Sequence, residues 1–416
     1  MSNTVTGLVG PARAGCERDL DPRAAVDRAV AFAEGHGLTP TLEVVAGSED
    51  EDSFLVSVCL LEVDGRVKSR GSGKGSGRQS LASAIYEALE NYFMLRAHRP
   101  WEPVPELLPM REVAAQSAVA EDRLLELMAQ WSPDGMVACD RYRGSDRGEV
   151  LLPVALADVG YREYPTPGDT YDYRPFLKYC STNGITSGVR ASDATLHGVL
   201  ELIERDAVSR ALLGVAGLAG RTAVEIDRAT VPADLGALAR WVAAEGVEVS
   251  LYELACFGAV SAHYAVGHRP GRFAYNGSGA SVRPDYSLER AVSELWQDVV
   301  MIGHYGLSDP YTSAFDRLAP YPPLRRTMAP TTADLTGGRP PTGHPADGGT
   351  AVGTSADTLA AVTAGLADDG LVVYSRPFLD GDVSIVSTYV PGLERFCLMS
   401  RGQPMLPTGR PDGPTR

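Results

Sequence analysis

The sequence predicts a mixed α/β fold from strand-like runs, helical patterns between them, and a threefold pairing of small-residue segments with amphipathic helices. The first run is residues 53–62, SFLVSVCLLE, which alternates and then turns continuously apolar as a strand does. VDGRVKSRGSGKG follows, with an Asp-Gly turn and a glycine loop, and then the helical pattern RQSLASAIYEALENY. GEVLLPVALADVGY and GVEVSLYELACFGAVSAHYAV read as further strand pairs, separated by helices such as DLGALARWVAAEG. One more helix, DTLAAVTAGLADDG, and two strands ending in VSIVSTYVPGLERFCLM close the pattern.

The organisation expected is an N-terminal extension over 1–40, a main domain over 41–400 and a Pro/Gly-rich tail over 401–416. Residues 318–356, rich in Pro, Gly and Thr and without periodicity, read as a flexible loop inside that domain. A prior of about 150 residues per domain allows two or three units, or one large α/β unit. An apolar fraction of 44% supplies a full core.

Net charge is −15 and the pI is near 5.0, so no diffuse positive field is available for nucleic acid or an anionic membrane. The six cysteines (Cys16, Cys59, Cys139, Cys180, Cys256, Cys397) lie far apart, without metal-finger spacing. No run approaches the ~18 apolar residues of a membrane span, and the first residues lack a signal-type apolar segment. Cytoplasmic residence is the resulting expectation.

The glycine run does not fit the standard phosphate loops. Lys74 is followed by Gly75 rather than Ser or Thr, and the positions a dinucleotide fingerprint reserves for its third glycine hold Ser76 and Arg78. The run is instead the first of three similar segments. GSG at 71–73 leads to Glu87 and Glu90, NGITSG at 183–188 to Glu201 and Glu204, and GSG at 277–279 to Glu294 and Gln297.

Helical geometry places these acids beside apolar faces. In SDATLHGVLELIERDA, Leu196, Val199, Leu200, Ile203 and Ala207 form one stripe, and Asp193, His197, Glu201 and Glu204 the next. Ser83, Glu87 and Glu90 share a stripe in the first copy, and Ser287, Arg290, Glu294 and Gln297 in the third. Carboxylates gathered at a buried edge repel one another and need compensation. Magnesium, a hard cation held by a few carboxylates together with nucleotide phosphates, suits such a set. Small-residue loops and helix N-termini suit the phosphates. Three loop–helix units converging on one nucleotide site are therefore expected. A solvated acidic face is the plainer alternative for any single copy.

STNGITSGVRASDATLHGVLELIERDA resembles the signature of the YcaO family, a Ser-Asn-Gly-type loop followed by a helix with E-x-x-E-R-D. SGKG with SAIYEALEN, GVEVSLYEL, LERAVSELWQ and YVPGLERF follow in the family's order, so the resemblance spans roughly 40–400. It implies sheets flanked by helices and an ATP- and magnesium-dependent enzyme that activates a backbone amide of a ribosomally made peptide. Phosphorylation of the amide oxygen and loss of phosphate would give an azoline heterocycle. Relatives using sulfide or an amine give thioamides or amidines, and a degenerate member would be a non-catalytic scaffold.

By position, the resemblance makes Glu87, Glu90, Asp193, Glu201 and Glu204 magnesium ligands or their supports. It places Lys74, Ser83, Thr186, Arg205, Glu294 and Gln297 at the nucleotide. It identifies no catalytic base; for His197, beside the carboxylates, a raised pKa is one reading and a packed or merely polar helix histidine the commoner one. Four features depart from the family pattern: Asn91 replaces a usual Arg, Val189 a common Asn and Asp193 a usual Glu, and the Arg often found shortly after Gln297 is absent from QDVVMIG. The ending RGQPMLPTGRPDGPTR matches the P-x-P-x-P-like tail of azoline formers only at Pro404 and Pro407. The last ten or so residues are expected to be disordered. The partners implied are a precursor peptide, a separate leader-binding protein and a second copy in a homodimer.

Overall fold

The computed structural model describes residues 17–47, 54–99, 102–305, 308–345, 353–410 and 413. Helix α1 (Pro22–Gly35) starts at Asp21, whose carboxylate accepts the N–H groups of Arg23 and Ala24. It packs on helix α2 (Arg78–Phe93), burying Ala29 and Ala33. The stretch read as an extension is thus joined to the body by an apolar face.

Three antiparallel sheets follow. The first is β1 (Thr39–Ala46), β2 (Phe54–Val63) and β3 (Arg66–Ser76) in chain order. The second contains β4 (Glu106–Pro109), β5 (Met136–Gly144), β6 (Glu149–Pro153) and β7 (Ile185–Gly188). The third is β8 (Val224–Glu225), β9 (Glu248–Leu254), β10 (Ser261–His268) and β11 (Tyr275–Ser281) in the order β11-β10-β9-β8. The late strands β12 (Tyr374–Leu379) and β13 (Ser384–Tyr389) complete the second sheet as β4-β5-β12-β13-β7, with β6 on β5. Between them lie α3 (Met110–Ala114), α4 (Arg123–Trp131), α5 (Ala191–Ala216), α6 (Ala233–Ala244), α7 (Pro284–Tyr305), α8 (Ser308–Arg317), α9 (Pro322–Thr327), α10 (Thr332–Thr336) and α11 (Ser355–Asp368).

Helix α5 lies at the centre, packed on β7 and β13 of one sheet and β11 of another. Its expected apolar stripe is buried throughout: Leu196, Val199, Leu200, Ile203 and Ala207 are at most 1% exposed. The adjoining stripe is left facing the space between α2 and α7.

Of the three segments expected as loops, two are strands and the third is strand from Ile185 onward. Gly71 and Gly73 lie in β3, Gly188 ends β7, and Gly277 and Gly279 lie in β11. Their glycines allow a helix backbone to rest directly on the strand. A Cβ at Gly73 would lie 1.8 Å from the carbonyl oxygen of Ser80, and one at Gly277 would lie 2.2 Å from the carbonyl oxygen of Ala291. Both are far inside contact distance, so the glycines serve helix–sheet approach rather than a phosphate cradle.

β2-β3-α2 and β10-β11-α7 are two versions of one unit. Ser80 donates to the carbonyl oxygen of Gly73 or to Ser57, and Ser287 to that of Gly279 or of Ser261. Glu87 and Glu294 each stand seven residues beyond that serine, which gives them equivalent places. Ser287, expected on the polar stripe, is fully buried in this helix–strand contact and also bonds His263 at 2.8 Å.

The 318–356 segment is also more ordered in its described part than its composition suggests. It holds α9 and α10, with Leu318, Met328 and Leu335 buried and α10 closed by a Thr331–Asp334 capping box. Helices of five or six residues are too short to show a helical period. Residues 346–352 lie outside the described residues.

The tail is fastened rather than free as far as Arg410. The Glu394 carboxylate accepts the N–H groups of Thr408 and Gly409 at 2.9–3.0 Å, and the Tyr179 hydroxyl bonds both backbone groups of Leu406. Glu394→Ala leaves those amides without an acceptor, at about 1–3 kcal/mol for each one that stays buried. Urea unfolding is expected to show a loss of about 3 kcal/mol, and limited proteolysis new cleavage within 405–410.

Candidate functional site

A cavity of about 410 Å³ opens between α2, α5 and α7. All eleven site residues expected from the sequence line it: Lys74 from β3, Ser83, Glu87 and Glu90 from α2, Thr186 from β7, Asp193, Glu201, Glu204 and Arg205 from α5, and Glu294 and Gln297 from α7. The 3.6-residue period puts each helix's polar stripe on this side, because the opposite stripe is held by the core.

The charged groups are tied into a network. Glu204 is at the centre: Arg205 approaches it at 2.8 Å, the Ser278 hydroxyl donates to it at 2.8 Å, and Arg290 stands at 3.5 Å. Arg205 also reaches Glu201 at 3.4 Å, and Glu201 accepts the N–H of Gly184 at 3.0 Å. Lys74 pairs with Glu294 at 2.9 Å, joining β3 to α7. Glu90 accepts both the backbone N–H and the hydroxyl of Ser187, at 2.7 and 2.6 Å. Asp193 accepts from Val189 N–H at 3.1 Å and from Arg18 at 3.2 Å. Thr186 uses its hydroxyl on the carbonyl oxygen of Ala194, so it shapes the wall with that group already committed.

Charge is unevenly compensated. Burial pushes the Glu87 carboxyl up to about 7 and the Glu90 carboxyl up to about 8, against an ordinary value of 4.5. Burial also raises Glu201. Burial would raise Glu294 too, but Lys74 and Arg205 outweigh it and hold that carboxyl down at about 2. Glu87 and Glu90 are thus the acids least matched by protein cations.

This makes stability depend on pH with a definite sign. The unfolded chain ionises these two carboxyls near 4.5 and the folded chain near 7 and 8, so the folded state holds more protons in between. Their contribution is fully present below about 4.5 and is lost as pH rises through 8. The depressed carboxyl of Glu294 acts with the opposite sign but below about 4.5, outside this window. Buried neutral His197 and His263 act with the opposite sign up to about 6.5, so the thermal midpoint without nucleotide or magnesium is expected to fall from about pH 6.5 to pH 8, and a magnesium–nucleotide complex to reduce that fall. Calorimetry across the pH range checks both parts.

Several contributors were not expected from spacing. Arg290 had been placed on the polar stripe without a role, and it now counterbalances Glu204. Ser187 lay within the NGITSG motif, and its two donors hold Glu90. Arg18 carried no signal, because its partner is 175 residues away. His197 does line the cavity, but its pKa is lowered rather than raised, by burial first and then by Arg18, Arg290, Lys74 and Arg205. It is a neutral imidazole whose buried Nδ1 has no partner among the described residues.

The cavity fits a magnesium nucleotide, with one restriction. Among the described residues no three His, Cys, Asp or Glu side chains stand close enough to hold a cation alone. Magnesium usually takes one or two carboxylates and completes its shell with phosphates and water, which a dispersed set of acids can provide. Glu87 and Glu90, buried without sufficient counter-charge, are the groups a cation would benefit most. Asp193 already has both oxygens engaged, so a metal there would require Arg18 to release it. Among the described residues no helix is long and apolar enough to cross a membrane.

Residues 72–394 match the family model described as YcaO cyclodehydratase, ATP- and Mg2+-binding. An uncharacterized protein of Methanothermobacter thermautotrophicus is 28% identical over 265 residues, 61% of this chain and 63% of the relative. The chain therefore aligns with less than two thirds of that curated relative's length. The structure of YcaO from Methanopyrus kandleri bound with AMPPCP and Mg2+ superposes with a TM-score of 0.61 at 19% identity, covering 96% of this chain and 98% of that one. A heterocyclase in complex with substrate and cofactor gives 0.63 at 17%, covering 91% and 54%. At these identities the likeness of the structures is one of fold.

Proposed function

The chain belongs to the YcaO family, and on that premise we propose that it is an ATP- and magnesium-dependent enzyme that converts residues of a ribosomally made peptide to azolines. The observation that carries the reading is the convergence of Glu87, Glu90, Glu201, Glu204 and Glu294 from three helices on one cavity. Bound ATP would supply the phosphoryl group that turns an amide oxygen into a leaving group, and magnesium would offset the charge on it.

The protein's own groups divide into two kinds. Glu87 and Glu90 on α2, with Glu201 and Glu204 on α5, are the acids that would hold the cation. Lys74, Arg205 and Arg290 are cations already oriented by carboxylates, so little side-chain entropy remains to be lost when phosphate oxygens arrive. Ser83 and Gln297 add polar wall near the same space. A peptide substrate and a separate leader-binding protein belong to this reading, as does a homodimer.

The test is intact-mass spectrometry of a candidate precursor peptide incubated with the protein, its partner, ATP and magnesium. Loss of one water per modified residue supports azoline formation. Exchange of oxygen for sulfur would replace it with thioamide chemistry, and fragmentation showing a closed chain with amidine chemistry. An unchanged peptide beside a nucleotide-binding protein would favour a scaffold.

A further inference from the structure

The nucleotide cavity has one wall that does not come from the three strand–helix units. Residues 17–22 cross its edge, and Arg18, Leu20, Pro22 and, on α1, Ala25 line it. The crossing is fastened on both sides of Arg18. Glu17, 4% exposed, accepts from the hydroxyl of Ser281 and from Val282 N–H. Asp19 accepts from the N–H and the hydroxyl of Ser355, both at 3.0 Å, at the start of the 14-residue helix α11. The strap therefore joins the end of β11 to the start of α11.

Arg18 uses less of its donor capacity than Lys74 or Arg205. Lys74 is paired with Glu294, and Arg205 bonds Glu204, Glu201 and Ser278. Arg18 makes one hydrogen bond among the described residues, through Nη1 to Asp193. A guanidinium has five N–H donors in a fork suited to phosphate oxygens, so most of this one's capacity is unused. Its side chain is 24% exposed although the strap around it is anchored, which gives a ligand in the cavity access to it.

We infer that residues 17–22 are a strap completing the nucleotide site and that Arg18 binds the nucleotide's phosphates. Asp193 holds the guanidinium in place when no nucleotide is present. A polyphosphate then competes with Asp193 for it, and the strap's anchors at Glu17 and Asp19 keep the arginine within reach. This rests on the proposed ATP site and adds to it a phosphate-binding residue from outside the three repeated units.

The experiment uses the full chain, a non-hydrolysable ATP analogue with magnesium, and adenosine as the phosphate-free probe. Calorimetric titration of Arg18→Ala is expected to show affinity for the magnesium–analogue complex reduced about 10- to 100-fold, the range for charge-assisted hydrogen bonds, with adenosine affinity unchanged. Arg18→Lys should recover part of the loss. Equal weakening for both probes would make Arg18 a purely structural residue and overturn the inference, as would unchanged analogue affinity. Hydrogen exchange on the wild-type protein supplies a measurement independent of any variant's folding: amides of residues 17–21 should exchange more slowly with the analogue bound, and no change there would remove the strap's role. A wild-type chain that binds no analogue overturns the ATP reading itself, whereas wild-type binding with an unaffected Arg18→Ala overturns only this extension of it.

Discussion

Glu204→Gln is expected to abolish magnesium-dependent nucleotide binding, lowering affinity by at least about 100-fold. Glu204 is 2% exposed and is held by Arg205, Ser278 and Arg290 together. Gln keeps the shape but removes the charge, leaving two half-buried guanidiniums with less compensation and, on the proposed reading, the cation with one fewer anionic ligand. Breaking a buried ion pair from one side costs about 3–5 kcal/mol, above the roughly 2.7 kcal/mol of a 100-fold loss. Titration with a non-hydrolysable ATP analogue, with and without magnesium, measures it. The far-ultraviolet circular dichroism of the variant should match wild type, since α5 keeps its apolar stripe. An unchanged magnesium-dependent affinity would remove Glu204 from the site.

Gly73→Ala is the second large expectation, and it acts on stability. The new methyl carbon would stand 1.8 Å from the carbonyl oxygen of Ser80 and 2.5 Å from the amide nitrogen of Ala84, both backbone atoms of α2. No rotamer change relieves a backbone clash, so α2 must lift from β3. A loss of about 4 kcal/mol or more is expected, at the upper end of single substitutions. Because α2 carries Glu87 and Glu90, nucleotide affinity should fall with it. Chemical denaturation of Gly73→Ala beside Gly65→Ala, where an added Cβ meets nothing within 4 Å but φ is +69°, separates the clash from ordinary loss of a turn glycine.

Much of the site was legible because a helix converts spacing into direction. Glu201 and Glu204 had to lie beside Val199, Leu200 and Ile203 once that run was helical, and the core fixed which way both stripes faced. The repeated interval from glycine to glutamate in GSG…Glu87 and GSG…Glu294 likewise marked two related units. Strand or loop was harder to assign for the glycine runs. Small polar residues lack the β-branched signal of a strand, and what makes Gly73 and Gly277 necessary is a helix backbone that sequence spacing does not locate.

His197 shows a second boundary. Its nearest sequence neighbours on the helix stripe are acids, which made a raised pKa one reading beside that of a packed histidine. In the folded chain burial and four cations from three other segments and its own helix set the opposite direction. Short helices such as α9 and α10, and the Glu394 clasp on the tail, were hidden for a related reason: few residues carry them and their partners are distant in the chain.

The sequence by itself determined the mixed α/β class by its patterning and, through its resemblance to the family, the eleven residues that line the cavity; local periodicity put the helical acids among them on shared faces. Only the tertiary structure decided that two of the three small-residue segments are strands and the third is strand from Ile185 onward, that Glu90 rests on Ser187, and that Arg18 meets Asp193. Those contacts join segments far apart in the chain, and their geometry is fixed by packing between elements, which no local pattern encodes.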